Sequence, residues 1–179
     1  MTVIKKYEVL MIILGIDPGY AIVGWGVVEY SGSKFKTLGY GSIQTTPDMP
    51  IVDRLERIYR GMLEIIEKYK PDHMAIEELF FNTNAKTAIV VAEARGIILL
   101  AAKTSGVEIA EYTPLQVKMA VVGYGKADKN QVITMVTSLL KLPAPPKPDD
   151  TADALAIAVC HGHSGCSRLS QYYNKRFES

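Results

Sequence analysis

The chain has 179 residues, of which 48% are hydrophobic and 22% are charged, with a formal net charge of +1 at pH 7. This length predicts one domain with one substantial core. No apolar run approaches the roughly 18 residues that a membrane-spanning helix needs. The two cysteines, Cys160 and Cys166, are too few for a disulfide framework, so a reducing compartment and a cytoplasmic location are expected. The basic pair Lys5-Lys6 is not expected to open a secretory signal, because Glu8 interrupts the following apolar stretch.

The first part of the chain predicts three consecutive strands and a helix. The strands cover 12–17, 23–30 and 35–44, with the turn Ser31-Gly32-Ser33 between the last two. Because strands joined by short connections pair with one another, an antiparallel meander is expected. Apolar residues at helical spacing then predict an amphipathic helix over 51–70, ended by Lys70-Pro71.

The rest of the chain alternates between helices and short buried strands. A helical crossover leads to the strand His73–Glu77, which is therefore predicted to lie parallel to the first strand. The later elements are a helix over 84–105, a strand over 107–112, a helix from Thr113-Pro114 to 121, a helix over 130–140 and a final helix from about 150. The proline-rich stretch 142–148 is stiff and fixes the start of that final helix.

Acidic residues stand at the ends of two buried strands. Asp17 ends the first strand and Glu77 ends the fourth. Parallel neighbours present their carboxyl ends at the same edge of a sheet, so the two side chains should approach each other. A carboxylate at such a position must be solvated, hydrogen-bonded or metal-bound. Together with the acids of the last helix, Asp17 and Glu77 predict a site for a hard cation.

Three more acids open the last helix. Asp150 and Asp153 are spaced i, i+3 and share a face, and Asp149 with Asp153 at i, i+4 would share one as well. Either of the first two residues could instead be only an N-cap, since the first turn of a helix favours negative charge. Spacing alone leaves the choice between Asp149 and Asp150 open.

Five motifs, in order along the chain, resemble those of the RuvC family, the bacterial Holliday-junction resolvases of the ribonuclease H-like superfamily. The motifs are Gly15-Ile16-Asp17-Pro18-Gly19, Ala75-Ile76-Glu77-Glu78-Leu79-Phe80-Phe81, Ala94-Arg95-Gly96, Gln116-Val117-Lys118 with Val122-Gly123-Tyr124-Gly125-Lys126, and Asp150-Thr151-Ala152-Asp153-Ala154-Leu155-Ala156. The resemblance implies an α/β, ribonuclease H-like fold with a mixed five-stranded sheet, three antiparallel strands and then parallel strands, and helices on both faces. The nuclease domain would cover 11–163, between an N-terminal extension over 1–10 and a C-terminal tail over 164–179.

The resemblance also implies a hydrolase, a crossover junction endodeoxyribonuclease that cuts four-way DNA junctions symmetrically in recombination and repair. In the family's pattern the first acid of the last motif falls on Asp150. The implied catalytic and metal-binding residues are therefore Asp17, Glu77, Asp150 and Asp153. Two Mg²⁺ ions per subunit, with Mn²⁺ as a possible substitute, would activate a water and stabilise charge on the phosphate oxygens. Asp17 would bridge the two ions, and Asp153 would orient the attacking water.

Basic and aromatic residues near these motifs are implied to contact DNA. Phe80 would stack on an unpaired base. The predicted contacts to the DNA backbone are Lys86, Arg95, Lys118, Lys126 and Lys129, and Lys129 is also expected to be catalytic by stabilising charge near the scissile phosphate. The alternative for the lysines is an ordinary solvated surface position. With the four site carboxylates set aside, the net charge of the rest is +5, which favours DNA as a ligand.

The helix over 84–105 is apolar nearly all round. A helix that covers only a sheet needs one apolar stripe, so the surplus predicts a subunit interface. A two-fold symmetric homodimer suits a substrate in which two opposed strands are cut, although full burial within a monomer is the alternative. The resemblance further implies cooperation with the branch-migration proteins RuvA and RuvB.

Other interpretations of the sequence make different predictions. An actin-like phosphotransferase also carries Gly-Ile-Asp-x-Gly on its first strand, but that architecture needs two such domains. A junction-binding module without nuclease activity would not need the acidic set. Four potential zinc ligands, Cys160, His161, His163 and Cys166, are crowded into seven residues rather than separated into two pairs, which disfavours a structural zinc site.

Overall fold

The computed structural model describes the backbone of residues 10–78 and 85–177 and the side chains of residues 10–78 and 88–164. Ten elements follow one another in the order β1 (Met11–Asp17), β2 (Ile22–Ser31), β3 (Lys34–Gln44), α1 (Ile51–Tyr69), β4 (His73–Glu77), α2 (Ala85–Thr104), β5 (Glu108–Tyr112), α3 (Pro114–Val122), α4 (Lys129–Leu139) and α5 (Asp149–Phe177). Each predicted strand and helix is present, with ends that differ from the predicted ones by a residue or two, apart from the much longer α5.

The five strands form one mixed sheet in the order β3-β2-β1-β4-β5. β1 pairs antiparallel with β2, which pairs antiparallel with β3. β4 lies parallel to β1 and β5 lies parallel to β4. The predicted meander and the predicted parallel neighbour of the first strand are therefore confirmed, and the carboxyl ends of β1, β4 and β5 share one edge.

Helices cover both faces of the sheet, and each face has its own apolar core. On one face α1 and α2 pack through buried residues such as Ile58, Met62 and Ile98. On the other face α3, α4 and α5 pack through residues such as Val136 and Leu155. The sheet is thus covered on both sides by helices that bury apolar residues against it.

Local capping fixes where α3 and α4 begin. Thr113 and Gln116 form a reciprocal capping box at the start of α3. At α4 the Asp128 side chain accepts from the Gln131 amide at 2.9 Å, and the Gln131 side chain accepts from the Asp128 amide at 2.9 Å. The helix therefore starts at Lys129, one residue earlier than predicted, and holds the backbone of Lys129 in its first turn.

The last helix extends beyond the predicted domain. α5 continues to Phe177, through most of the range 164–179 that the sequence predicts to be a tail. The extension over 1–9 and the side chains beyond 164, including Cys166 and the basic pair Lys175-Arg176, lie outside the described residues.

Candidate active site

The predicted site acids come from three elements that meet at the carboxyl edge of the parallel strands. β1 and β4 are aligned with Ile16 beside Ile76, which brings Asp17 and Glu77, the last residues of the two strands, next to each other. α5 supplies Asp150 and Asp153 from its first two turns. Residues that are 60 and more positions apart in sequence therefore meet because a parallel pair of strands and a helix end at the same place.

Glycines on the sheet let α5 lie directly on the backbone beneath it. A Cβ on Gly15 would lie 2.8 Å from the amide nitrogen of Ala158 and would collide with the carbonyl oxygen of Ala154. A Cβ on Gly24, the residue paired with Asp17, would lie 3.0 Å from the Cβ of Asp150. Only a residue without a side chain permits this approach, so the glycines set the depth at which the helix presents its acids.

A cleft of about 240 Å³ opens between these elements. Its lining includes three of the four predicted acids, Asp17, Glu77 and Asp153, together with the two lysines Lys118 and Lys129. Asp150 borders the cleft rather than lining it, because its backbone rests against Gly24. The structure thus brings the four acids and two of the predicted lysines into one neighbourhood.

The acids repel one another strongly in the absence of cations. Burial, and then the negative charges of Asp153, Glu77 and Asp150, raise the pKa of Asp17 to about 8. The pKa of Glu77 is raised by burial and by Asp153, and that of Asp153 is raised by burial against the opposing effect of Lys129. Such a cluster needs added positive charge before all its members can ionise together.

Lys129 supplies positive charge from within the protein. Its Nζ lies 3.1 Å from Asp153 Oδ2 and 3.8 Å from Asp149 Oδ2. Partial burial lowers the pKa of Lys129, but the hydrogen bond and charge of Asp153, with the charges of Asp149 and Asp150, outweigh it and raise the pKa. The ammonium group therefore stays charged and sits at the mouth of the cleft.

The chemistry of the side chains fits a hard divalent cation. Carboxylate oxygens are the donors that Mg²⁺ and Mn²⁺ prefer, and the raised pKa values of Asp17 and Glu77 indicate unmet negative charge. Among the described side chains, those of residues 10–78 and 88–164, no three acidic, histidine or cysteine groups already converge closely enough to hold an ion. Asp17, Glu77, Asp150 and Asp153 are the residues that could hold such a cation, and Lys129 contacts Asp153 at present.

A buried arginine that the sequence reasoning missed braces the loop after Asp17. Arg54 is 8% exposed, and its Nε donates to Thr45 Oγ1 at 2.8 Å. Thr45 Oγ1 donates to the Tyr20 carbonyl oxygen at 2.6 Å, and the guanidinium lies 4.5 Å from the centre of the Tyr20 ring. The available signal was a charged residue in line with Ile58 and the rest of the apolar stripe of α1.

The residues predicted to contact DNA differ in how exposed their side chains are and in what those side chains contact. Lys118 is half-buried in the cleft and Lys126 is exposed on the loop after α3. Arg95 has a side chain that is only 15% exposed, forms an ion pair with Glu111 and donates from Nε to the Glu77 carbonyl oxygen at 3.4 Å. Arg95 thus joins α2 to β4 and β5, and the contact of Arg95 with DNA stays a prediction. Phe80 and the side chain of Lys86 lie outside the described residues.

The two histidines of the alternative zinc site form other contacts. His161 Nδ1 is 2.8 Å from the Tyr112 hydroxyl, and His161 Nε2 is 2.9 Å from Nδ1 of His73. His163 Nδ1 is 3.2 Å from the Ala120 carbonyl oxygen. The two histidines therefore tie α5 to different elements, β4 and β5 in one case and α3 in the other.

The surface of α2 divides into a buried and an exposed face. Ala94, Ile98 and Ala101 are fully buried against the sheet, whereas Ile89 is 61% and Leu100 is 51% exposed. The apolar surface that the sequence predicts in excess on this helix is therefore exposed at Ile89 and Leu100 in the single chain. In the part of the chain that the structure describes, no helix is both long enough and apolar enough to cross a membrane.

Comparison with known proteins gives a consistent result. The family model described as "Crossover junction endodeoxyribonuclease RuvC" matches residues 13–161. Proteins of that name from Alkaliphilus metalliredigens and Desulforamulus reducens are 61% and 59% identical, over 87% and 84% of this chain and 94% and 93% of their own lengths.

Solved structures agree with these matches. "T. thermophilus RuvC in complex with Holliday junction substrate" has a TM-score of 0.81 at 40% identity and covers 84% of this chain and 92% of that one. The yeast mitochondrial Holliday junction resolvase Ydc2 shares the fold, with a TM-score of 0.64 at 16% identity over 92% of this chain and 85% of its own. The chain therefore belongs to the RuvC family of crossover junction endodeoxyribonucleases.

Proposed function

We propose that the protein resolves four-way DNA junctions by paired, symmetric hydrolysis of phosphodiester bonds during recombination and repair. One observation carries the proposal: three acids from separate elements line a single cleft together with two lysines, in a chain that matches a family of junction endonucleases along most of its length. A non-catalytic binding module would gain nothing from carboxylates that repel one another, and repulsion of that kind is typical of catalytic sites.

The proposed cofactor is a pair of Mg²⁺ ions, which Mn²⁺ can replace. Asp17, Glu77, Asp150 and Asp153 would hold them, and Asp17 is the acid whose pKa is affected by all three others. When bound, the pair supplies an activated water and neutralises charge on the non-bridging and leaving oxygens.

The chain's own residues then carry defined tasks. Asp153, whose pKa is raised mainly by burial, is suited to orient the attacking water and to accept its proton on a carboxylate oxygen. Lys129, charged and at the mouth of the cleft, would stabilise the negative charge that develops on the phosphate. Lys118 would fix the phosphate in the cleft, and Lys126 would contact the flanking DNA backbone.

The remaining site proposals rest mainly on the resemblance. Phe80 is proposed to stack on an unpaired base and Lys86 to contact the DNA backbone. Arg95 is proposed to support the end of β4 through Glu111 and the Glu77 carbonyl. The nuclease domain is proposed to span 11–163, with the flanking segments 1–10 and 164–179 outside it.

The proposed assembly is a homodimer that acts in the cytoplasm with RuvA and RuvB. The exposed apolar face of α2, with Ile89 and Leu100 at its surface, is the proposed contact between the two copies. Two-fold symmetry would place two clefts at matching positions on opposed strands of the junction.

A nicking assay tests the proposal. The protein would be incubated with Mg²⁺ and either a synthetic four-way junction or a linear duplex of the same sequence. We expect paired nicks in the junction and none in the duplex. Asp17→Asn should lower nicking about a thousandfold or more while junction binding, measured by gel shift, is retained, because loss of an essential catalytic group has effects of this size.

A matched control uses an acid outside the cleft. Asp53→Asn makes the same charge change in the exposed first turn of α1 and should leave nicking within about twofold of the unmodified protein. Equal cutting of junction and duplex would overturn the proposed specificity, and full nicking by Asp17→Asn would overturn the proposed site.

A further inference from the structure

Asp149 stands next to the proposed site acids but has a partner of its own outside the cleft. Its side chain is 40% exposed and its Oδ1 accepts a hydrogen bond from Lys147 Nζ at 2.9 Å. Asp149 therefore contacts two lysines, Lys147 and Lys129, and is not among the acids that line the cleft.

Lys129 is shared between two carboxylates. Its ammonium contacts Asp153 at 3.1 Å and lies 3.8 Å from Asp149. Asp153 is a proposed cation ligand, so an ammonium and a divalent cation compete for the same oxygens. Lys129 is also the first residue of α4, where the positive end of the helix dipole disfavours a second positive charge. A neighbouring carboxylate offsets this unfavourable effect on the ammonium group.

We propose that Asp149 is a positioning residue that receives the ammonium group of Lys129 when a divalent cation takes the carboxylate of Asp153. The inference rests on the proposed function, because it requires Asp153 to bind a cation. A long, flexible lysine side chain covers the short distance between the two carboxylates by rotation about its own bonds.

The geometry keeps Lys129 useful in both states. Without cations the ammonium offsets part of the repulsion between Asp153 and the other acids. With cations bound it would remain at the mouth of the cleft on Asp149, close enough to meet an incoming phosphate. Asp149 needs no rearrangement for this, because Lys147 and the start of α5 already hold it in place.

The test measures the affinity for Mn²⁺ itself, without DNA or turnover. Isothermal titration of the full-length protein with Mn²⁺ would be carried out on the unmodified chain, Asp149→Asn, Lys129→Met and the double variant. We expect Asp149→Asn to weaken Mn²⁺ binding by about threefold, the size expected for loss of one exposed ion pair, because Lys129 then stays on Asp153. Lys129→Met should tighten binding, since the competing ammonium is gone.

The double variant separates this mechanism from a simple change in local charge. If Asp149 acts through Lys129, Asp149→Asn should have less than half its effect in the Lys129→Met background. Equal weakening in both backgrounds would overturn the proposal, because it would show that Asp149 attracts the cation directly. Both substitutions change side chains that are at least 40% exposed, and thermal unfolding should confirm that each of the three variants is folded.

Two further variants distinguish failure of this inference from failure of the proposed function. Asp53→Asn repeats the charge change of Asp149→Asn in the first turn of another helix and should leave the Mn²⁺ affinity unchanged. Asp17→Asn should abolish tight binding of at least one Mn²⁺. If Asp17→Asn binds Mn²⁺ as tightly as the unmodified protein, the proposed metal site is wrong. If Asp17→Asn loses binding but Asp149→Asn has equal effects in both Lys129 backgrounds, only the role of Asp149 is wrong.

Discussion

Replacement of Asp17 by asparagine should stabilise the protein when no divalent cation is present. The folded state raises the pKa of Asp17 from 3.8 to about 8, so ionisation of this side chain works against folding. Each pKa unit corresponds to about 1.4 kcal/mol, which sets an upper limit of about 6 kcal/mol on the cost at pH 8 and above. Part of this gain is lost because the asparagine amide must be desolvated in place of the protonated carboxyl group, and we expect a net gain of about 2–3 kcal/mol near pH 8.

The effect should depend on pH in a defined direction. Below about pH 4 the carboxyl group is protonated in both the folded and the unfolded chain, and its ionisation has no effect on stability. Between about pH 4 and 8 the unfolded chain releases the proton while the folded chain retains it, so the stability of the unmodified protein falls as the pH rises. The advantage of Asp17→Asn should therefore be small at pH 5 and largest near pH 8.

Urea unfolding in EDTA, followed by circular dichroism at pH 5, 6.5 and 8, measures this difference. The control is Asp53→Asn, an exposed change of equal charge, which should have no comparable pH dependence. Added Mg²⁺ should stabilise the unmodified protein and reverse the order of the two, because binding to the folded state adds stability by mass action. An Asp17→Asn protein that is no more stable than the unmodified chain at pH 8 in EDTA would refute the reasoning.

Two other substitutions follow from close contacts in the fold. Gly15→Ala should destabilise the protein by about 3 kcal/mol or more and lower nicking activity, because the new methyl group would push α5 away from the sheet. Thermal unfolding measures the first effect and the nicking assay measures the second. A stable, active variant would contradict the close approach of α5 to Gly15. Arg95→Met should cost about 1 kcal/mol through loss of its contacts with Glu111 and the Glu77 carbonyl. Its junction affinity should stay within about twofold, whereas a larger loss with a shallower salt dependence would indicate a direct phosphate contact.

Much of the fold could be predicted because it depends on local patterns. The apolar runs and the turn residues between them predict the antiparallel meander. A helix between two apolar strands predicts the parallel pair that brings Asp17 beside Glu77. The capping box at Asp128, by contrast, depends on a polar pair, Asp128 and Gln131, that hydrophobic spacing does not reveal, so that spacing predicts a start at Asn130 instead of Lys129.

The contacts of individual charged side chains could not be predicted in the same way. Arg54 reads as part of an ordinary amphipathic helix, and its partners, Thr45 and Tyr20, come from loops whose paths depend on the whole fold. The two lysine partners of Asp149 are likewise set by where the proline-rich segment and α4 meet. Sequence spacing identifies which residues share a face, but only tertiary structure decides which partner each one takes.

The bare backbone beneath α5 has a consequence for how the site can adapt. With no layer of side chains between the helix and the strands at Gly15 and Gly24, there is nothing compressible that could absorb a shift of one against the other. The acids on α5 and the acid on β1 are therefore held at a fixed separation of their backbones. Any adjustment to ions of different radius must come from rotation of the carboxylates themselves, which makes a small set of torsion angles the place where metal preference is decided.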